Sequence, residues 1–396
     1  MHAPLGTLGR ALTLSLCLGV IFASPALAQK RGRMAPQLEA VNEAVRKHVE
    51  ADDVAGVVTL VLEDGKIVHL SAVGKANREA DKPLRPGAMF AIASMTKPIT
   101  ATAFMTLVEE GKVSLDDPVS KYIPEFADAK LDGKKLDKPI TIRECLTHTA
   151  GLGGSQRVVE SLETTGKQLA ERPLRYEPGT KWEYSPGLNV VGRVIEVVSG
   201  KPYGEFLQER IFDPLKMNNT TFKPNEKQQA RVATLYAKDK ESGKLTAAES
   251  WIGNFDSDSY PNPSAGLYSN ARDLAKFYKM MLNGGYLGDA KILSRESVDE
   301  LTKLQTGEIV TGFTPGNGWG LGYCVVQEPQ NVTAALSPGS FGHGGAFGTQ
   351  SWADPVKKRA YILLVQRSNF PNSDASDLRK DFQNAAAEAL DASSSK

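Results

Sequence analysis

The order of the strand and helix signals restricts the fold of this chain more than any other feature. Residues 54–62 and 66–73 have the composition of strands, and Glu63-Asp64-Gly65 between them contains Asp-Gly, a strong signal for a β-hairpin turn. Strand signals return only near the other end of the sequence, at 320–327, 349–353 and 359–365. We therefore expect an α+β fold in which one antiparallel sheet is built from both chain termini.

Helical patterns flank these strands and fill the middle of the chain. In residues 36–51, apolar side chains recur at intervals of three and four, which is typical of one buried helix face. A last helix is predicted at 377–390, and mostly helical segments run from 94 to 303. The terminal helices are expected to cover the sheet, and the central helices to form an inserted domain.

These patterns predict two subdomains. The sheet subdomain comprises about 36–93 plus 304–391, the helical subdomain comprises about 94–303, and residues 392–396 form a disordered tail. A junction between two such subdomains is the usual location of a small-molecule pocket.

Composition excludes several classes of protein. The 396 residues are 41% hydrophobic and 23% charged with a formal net charge of +1, which is ordinary for a globular chain. Nucleic-acid-binding proteins usually carry a clearly basic face, so we expect no nucleic-acid partner. Three cysteines are too few for a disulfide scaffold, and neither CxxC nor HExxH occurs. The sequence therefore predicts no metal site and no cofactor.

The first residues have the order of a secretory signal peptide. Arg10 precedes the apolar run 11–23, and Ala26-Leu27-Ala28 supplies small residues at alternate positions. We expect cleavage after Ala28 and export to the periplasm or the medium, with no membrane span in the mature chain. The alternative is an uncleaved anchor, for which the apolar run is short.

Two cysteines, Cys145 and Cys324, remain after the expected cleavage. An oxidising compartment would permit a disulfide between them. Their apolar neighbours favour the other alternative, two buried free thiols.

Ser94-Met95-Thr96-Lys97 is the strongest candidate for a catalytic centre. At this spacing on a helix, the serine and the lysine project from one face and their tips can meet. A lysine whose pKa is lowered by burial can take the serine proton, and the amide groups that begin a helix favour developing negative charge. The bare SxxK pattern is weak, because Ser393 and Lys396 in the tail match it by chance.

Two later segments extend this candidate site. Tyr184, in Tyr184-Ser185-Pro186-Gly187, can relay the serine proton as phenol or phenolate. The segment 342–348, Gly-His-Gly-Gly-Ala-Phe-Gly, precedes a strand signal, and its small residues would leave backbone amide groups free for an oxyanion. Taken singly, the tyrosine could be an ordinary buried aromatic residue and the second segment a plain glycine-rich turn.

In this order and spacing, the three elements resemble the serine beta-lactamase and penicillin-binding-protein superfamily, which carries an SxxK motif. The resemblance is to the class C beta-lactamase-like group, which includes the family VIII carboxylesterases, and it covers essentially the whole mature chain. Further stretches look like recurrent phrases of that group: Leu146-Thr147-His148-Thr149-Ala150-Gly151-Leu152, Ser264-Ala265-Gly266-Leu267-Tyr268-Ser269 and Ile211-Phe212-Asp213-Pro214-Leu215.

The resemblance implies a role for each motif residue. Ser94 would be the acylated nucleophile, Lys97 its proton partner and Tyr184 the general base. The segment His343-Gly344-Gly345 stands where beta-lactamases have Lys-Thr-Gly and would contact the substrate. The oxyanion hole would consist of the backbone N–H groups of Ser94 and Ala346. The implied activity is hydrolysis of a small-molecule ester or peptide-like substrate by a beta-lactamase/transpeptidase-like fold.

Two departures from the class C pattern bear on the substrate. Pro186 occupies the position of an asparagine whose amide contacts the substrate, and His343 replaces a lysine that attracts a substrate carboxylate. Each loss removes a hydrogen bond of about 1–3 kcal/mol, so we expect an esterase-like enzyme rather than an efficient beta-lactamase.

Three alternatives remain at this stage. Two are enzymes of the same superfamily, a D-amino-acid peptidase and a weak beta-lactamase. The third is a non-catalytic module that binds cell-wall fragments, against which the occupied motif positions count. A Ser-His-Asp hydrolase with the usual nucleophile elbow is disfavoured, because no Gly-x-Ser-x-Gly segment occurs.

Overall fold

The computed structural model describes residues 38–154, 157–158, 160–252 and 260–394, so the expected signal peptide 1–28 lies outside the described residues. The strands are β1 (Gly56–Glu63), β2 (Lys66–Asn77), β3 (Lys82–Pro83), β4 (Phe90–Ala91), β5 (Lys130–Leu131), β6 (Lys134–Lys135), β7 (Tyr236–Lys238), β8 (Leu245–Ala247), β9 (Tyr268–Ser269), β10 (Tyr286–Leu287), β11 (Ala290–Lys291), β12 (Asn317–Trp319), β13 (Cys324–Val326), β14 (Phe341–Gly344), β15 (Gln350–Asp354), β16 (Arg359–Leu364) and β17 (Arg367–Ser368). The α-helices are α1 (Glu39–Glu50), α2 (Thr96–Glu109), α3 (Ile142–Thr147), α4 (Leu162–Ala170), α5 (Gly187–Ser199), α6 (Tyr203–Leu207), α7 (Glu226–Gln229), α8 (Ala271–Leu282), α9 (Arg295–Thr302) and α10 (Asp377–Ser394).

One eight-stranded sheet organises the fold, in the order β12-β13-β14-β15-β16-β1-β2-β3. Every neighbouring pair in it is antiparallel. At its centre, β1 from the start of the chain pairs with β16 from the end, so that Val58 faces Leu364 and Leu62 faces Ala360. The expected α+β fold, with one antiparallel sheet drawn from both ends of the chain, is confirmed.

The strand β1 is buried on both faces, because helices cover each side of the sheet. Val57 and Val61 point into a core shared with α1 and α10. Val58, Leu60 and Leu62 point to the opposite face and join the larger core around α2 and α8. This alternation follows from the two-residue period of a strand, and the nearly continuous apolar sequence of β1 matches its burial on both sides.

The helix α2 is surrounded by protein along almost its whole length. Its threonines bring hydroxyl groups into this interior, and each of these groups is hydrogen-bonded. Thr100 Oγ1, for example, donates to Pro263 O at 2.8 Å, and Thr102 Oγ1 lies 2.8 Å from the Tyr323 hydroxyl. A buried helix of this kind holds its first turn rigidly. Lys97 lies in that turn, and Ser94 lies in the 3₁₀ turn immediately before it.

Several boundaries differ from the sequence-based expectation. The helical region expected to start at residue 94 begins with a 3₁₀ turn at Ala93–Met95, and α2 follows at Thr96. The helix α10 continues to Ser394, into the segment expected to be a tail, while 395–396 lie outside the described residues. The glycine-rich segment does not merely precede a strand, because Phe341–Gly344 itself forms β14.

Both remaining cysteines are free thiols, with Cys145 buried and Cys324 half-buried. In the part of the chain that the structure describes, none of the helices combines the length and apolar character needed to cross a bilayer.

Candidate active site

Ser94 lies on the 3₁₀ turn that leads into the buried helix α2. Ala93, immediately before it, has a φ of +46°, which is the left-handed region that non-glycine residues rarely adopt. The turn is fixed by two hydrogen bonds, from Met95 N to Ile92 O at 3.1 Å and from Thr96 Oγ1 to Ala93 O at 2.7 Å. The strained conformation of Ala93 therefore places the half-buried Ser94 just before the N-terminus of α2.

Lys97 is enclosed one turn further along and is only 2% exposed. Its Nζ donates a hydrogen bond to Ser264 O at 2.8 Å and lies 4.5 Å from the centroid of the Tyr184 ring. Burial lowers the pKa of Lys97 to about 7, and the charge of Asp374 opposes part of that shift. A substantial fraction of Lys97 is thus neutral near pH 7, the form that can accept a proton.

Tyr184 meets Ser94 from the segment before α5. The Ser94 and Tyr184 side chains line the same cavity. Burial holds the pKa of Tyr184 far above its ordinary value, although the nearby Ser94 hydroxyl acts in the other direction. Five rings surround the phenol at centroid distances of 4.6 to 6.3 Å: His148, Trp182, Phe313, Trp319 and His343. The tyrosine is therefore a protonated phenol at rest.

His343 is buried beneath Tyr184 and does not line the cavity beside Ser94. Its Nδ1 lies 2.6 Å from Gly344 O, and because a carbonyl only accepts, Nδ1 carries the proton. Nε2 is left as an acceptor, 3.5 Å from the Tyr184 hydroxyl. Burial and the charge of Lys97 lower the pKa of His343 to about 3, so the ring is neutral at physiological pH.

Glycine is required at positions 344 and 345 because atoms of other residues approach the backbone there too closely to leave room for a Cβ. A Cβ at Gly344 would lie 1.8 Å from Asp374 Oδ1, and one at Gly345 would lie 2.2 Å from Thr349 Oγ1 and 2.5 Å from Ile92 O. The strand end can therefore pack directly against the residues that precede Ser94. Ala346 follows at once and reaches the cavity that Ser94 lines.

The cavity itself has a volume of about 410 Å³ and brings four of the predicted residues together, Ser94, Lys97, Tyr184 and Ala346. Its other walls are contributed by Gly154, Arg157, Ser185, Pro186, Trp251, Asn262, Ser264 and Ala265. Such a site can hold a small substrate with its carbonyl carbon against Ser94.

The sequence did not identify every group at the site. Ser264, which accepts the Lys97 hydrogen bond, lies in a segment that was recognised only as a recurrent phrase of the superfamily. Asp374, half-buried against Gly344 and 3.2 Å from Gln350 Nε2, lies in a polar loop with no recognisable signal. Among the described residues, no three His, Cys, Asp or Glu side chains are arranged to hold a metal ion.

Comparisons with known proteins place this geometry in context. The beta-lactamase family model matches residues 41–386. Esterase EstB of Burkholderia gladioli is 29% identical over 369 residues, covering 84% of this chain and 90% of EstB. A putative D-alanyl-D-alanine carboxypeptidase of Escherichia coli K12 is 30% identical over 353 residues, covering 81% of this chain and 80% of the relative.

Among solved structures, a family VIII carboxylesterase has the same fold. It superposes with a TM-score of 0.72 at 23% identity, covering 91% of this chain and 99% of the carboxylesterase.

Proposed function

The chain belongs to the beta-lactamase family and is a serine hydrolase, and from this premise we propose that it cleaves small esters through an acyl-enzyme on Ser94. One observation carries the proposal. Ser94, Tyr184 and a buried lysine whose pKa is near 7 line one cavity that is large enough for a small ester.

The reaction proceeds in two half-reactions. Ser94 Oγ attacks the ester carbonyl while its proton passes to Tyr184 and Lys97, and that proton then leaves with the alcohol. The N–H groups of Ser94 and Ala346 stabilise the oxyanion of the tetrahedral intermediate. A water molecule, deprotonated by the same pair, attacks the acyl-enzyme, and the acid is released as Ser94 regains its proton.

The cavity supports an ester as the preferred substrate. Pro186 lines it in place of the amide-bearing residue of class C beta-lactamases and offers no side-chain hydrogen bond. His343 is neutral and buried, so it provides no positive charge for a substrate carboxylate. Lys97 and Arg157 are the basic residues of the cavity lining, and the Nζ of Lys97 is held by Ser264 O.

The Ser94→Ala variant tests the nucleophile. We expect loss of p-nitrophenyl butyrate hydrolysis by at least about 10³-fold, together with loss of labelling by a fluorophosphonate probe. Ser340→Ala is the matched control, because that buried hydroxyl has no hydrogen-bond partner and lies outside the cavity. Retained turnover in Ser94→Ala would refute the proposal. A wild-type protein that folds but takes no label would indicate the non-catalytic binding module instead.

A second candidate is a D-amino-acid peptidase, which the 30% identity to the putative D-alanyl-D-alanine carboxypeptidase favours. Assaying the ester, a D-Ala-D-Ala peptide and a chromogenic cephalosporin side by side separates the candidates. We expect the highest kcat/KM for the ester. A higher kcat/KM for the peptide would instead assign the peptidase activity.

We also propose that the enzyme is exported, on the basis of the leader pattern that ends at Ala28. The mature protein should then begin at Gln29, as N-terminal sequencing of the exported fraction can establish. A full-length chain confined to the cytoplasm would contradict this proposal.

A further inference from the structure

The segment that carries Tyr184 belongs to no helix or strand, since residues 181–185 are irregular until α5 begins at Gly187. Its backbone amide groups therefore need partners elsewhere. The N–H of Glu183 donates to His148 O at 3.1 Å, and the N–H of Ser185 donates to His148 Nδ1 at 3.1 Å. The residues on both sides of Tyr184 are thus tied to one residue.

The side chain of His148 also contacts Tyr184 itself. The two rings lie 4.6 Å apart between centroids at an interplanar angle of 37°. On another side, the imidazole meets Trp319 edge to face at 4.8 Å. His148 is 0% exposed, so these contacts fix the phenol from the side of the protein interior.

The backbone of His148 is adapted to this position. The residue ends α3 in the left-handed conformation, with a φ of +62°, and its N–H closes the helix by donating to Glu144 O. Its carbonyl also accepts a hydrogen bond from the Tyr176 hydroxyl at 3.1 Å. Left-handed backbone at a residue with a Cβ is strained, and here it lets one residue cap a helix and hold the Tyr184 segment.

The protonation of His148 follows from these contacts. A backbone N–H can only donate, so Nδ1 must be the acceptor and the proton resides on Nε2, which is buried with no hydrogen-bond partner. Burial and the nearby charge of Lys97 lower the pKa of His148 well below its ordinary value. The ring remains neutral and Nδ1 remains an acceptor throughout the working pH range.

We propose that His148 is the positioning residue for Tyr184, holding the phenol against Ser94 through the Ser185 amide and the stacked ring. The inference rests on the proposed acyl-enzyme mechanism. His148 does not itself line the cavity, and it meets the lining through Tyr184 and Ser185.

Three substitutions separate the two contacts. His148→Ala removes both, His148→Phe keeps a stacked ring without the acceptor, and His148→Asn keeps a short acceptor that tolerates left-handed backbone. We expect His148→Ala to lower kcat by about 10- to 100-fold with KM changed less than about 3-fold, because misplacing a catalytic group mainly affects the chemical step. The Phe and Asn variants should each retain more activity than the Ala variant.

A double-mutant cycle with Tyr184→Phe decides between positioning and general structural support. If His148 acts through Tyr184, adding His148→Ala to Tyr184→Phe should lower the rate of fluorophosphonate labelling of Ser94 by less than about 3-fold. An undiminished effect in that background would overturn the inference, as would wild-type kcat in His148→Ala. His69→Asn is the control, since that buried histidine of β2 bonds only Thr59 Oγ1 and should leave kcat unchanged.

The cycle also separates this inference from the proposed function. Failure of the wild-type enzyme to be labelled at Ser94 would refute the mechanism. Labelling of the wild type with additive effects of the two substitutions would refute only the role of His148.

Discussion

At the scale of single residues, the chemistry of this site depends on how far each group is removed from water. Lys97 and His343 both have their pKa lowered by burial, to about 7 and about 3 respectively. The two lowered pKa values have different consequences. A lysine with a pKa near 7 can exchange a proton at neutral pH, whereas His343 stays neutral at that pH. Only Lys97 is therefore poised to change its charge during turnover.

The pH dependence of activity should follow Lys97. In the proposed mechanism its neutral form accepts the proton of Ser94, so kcat/KM should rise with pH and level off above about pH 7. One pH unit below the pKa, kcat/KM should be about tenfold lower than on the plateau. Steady-state kinetics on a neutral ester between pH 5 and pH 9 would measure this rise in kcat/KM. Lys97→Arg, which stays protonated, should be inactive at every pH, and a flat wild-type profile would contradict the assignment.

At the residue level, a proximity that depends only on local spacing could be predicted from the sequence. Ser94 and Lys97 lie a single helical turn apart, so their proximity needs no knowledge of the rest of the fold. Ser264 and Asp374 join the site only because segments far along the chain fold against α2 and β14, and no local pattern indicates their contacts there. His343 was expected to contact the substrate; the structure places it beneath Tyr184, outside the cavity lining.

At the scale of elements, the end of β14 controls how the backbone approaches the nucleophile. The turn after it is closed by two hydrogen bonds, from Gly345 N to Thr349 O at 2.7 Å and from Gly348 N to Gly345 O at 2.9 Å. Ala346, the expected oxyanion donor, lies inside this turn. Its orientation therefore depends on how closely Gly345 can approach Ile92 and Thr349.

Gly345→Ala should lower kcat by about 10²-fold, because the added methyl group collides with Ile92 O and Thr349 Oγ1 and displaces the Ala346 N–H. KM should change little. Ester kinetics would test this, with Gly87→Ala as the control, since no atom lies within 4 Å of a methyl group added there. Wild-type kcat in Gly345→Ala would show that the turn does not position the oxyanion donor.

Elements with a clear periodicity of apolar residues could be predicted from the sequence, whereas elements defined by their pairing with other strands could not. The helices α1 and α10 follow from their apolar spacing. Phe341–Gly344 has no alternation of apolar and polar residues, and it is a strand because β13 and β15 flank it. Likewise, β17 pairs in parallel with β7 through Arg367 and Tyr236, a contact that neither segment indicates by itself.

At the scale of the whole molecule, one face of the sheet contributes mainly to stability and the other supports the candidate active site. One face packs on α1 and α10, which come from opposite ends of the chain and contact each other, and it contributes to stability. The other face packs on α2, whose first turn carries Lys97. Substitutions beneath the terminal helices should therefore affect stability far more than catalysis.

Phe382→Ala provides that test. Phe382 is 1% exposed in α10 and meets the Tyr361 ring edge to face at 6.3 Å. Its truncation should lower the free energy of unfolding by about 3–5 kcal/mol, measured by urea denaturation, while kcat of the folded protein stays within about 2-fold of wild type. Lys380→Ala, on the exposed side of the same helix, should change stability by less than about 0.5 kcal/mol. A large loss of kcat in Phe382→Ala would show that the two faces are coupled.

The pairing of β1 with β16 also sets an order of events during synthesis. These partners are about 300 residues apart, so β1 has no neighbour on that edge until nearly the whole chain has left the ribosome. The strand β14, which leads to Ala346, is connected to β1 only through β15 and β16. A growing chain that already contains Ser94, Lys97 and Tyr184 thus lacks the sheet that brings Ala346 to them. Under the proposed mechanism, hydrolytic competence is consequently acquired only after β14 to β16 have been synthesised, and a chain that stops before β14 carries Ser94 without the expected oxyanion donor.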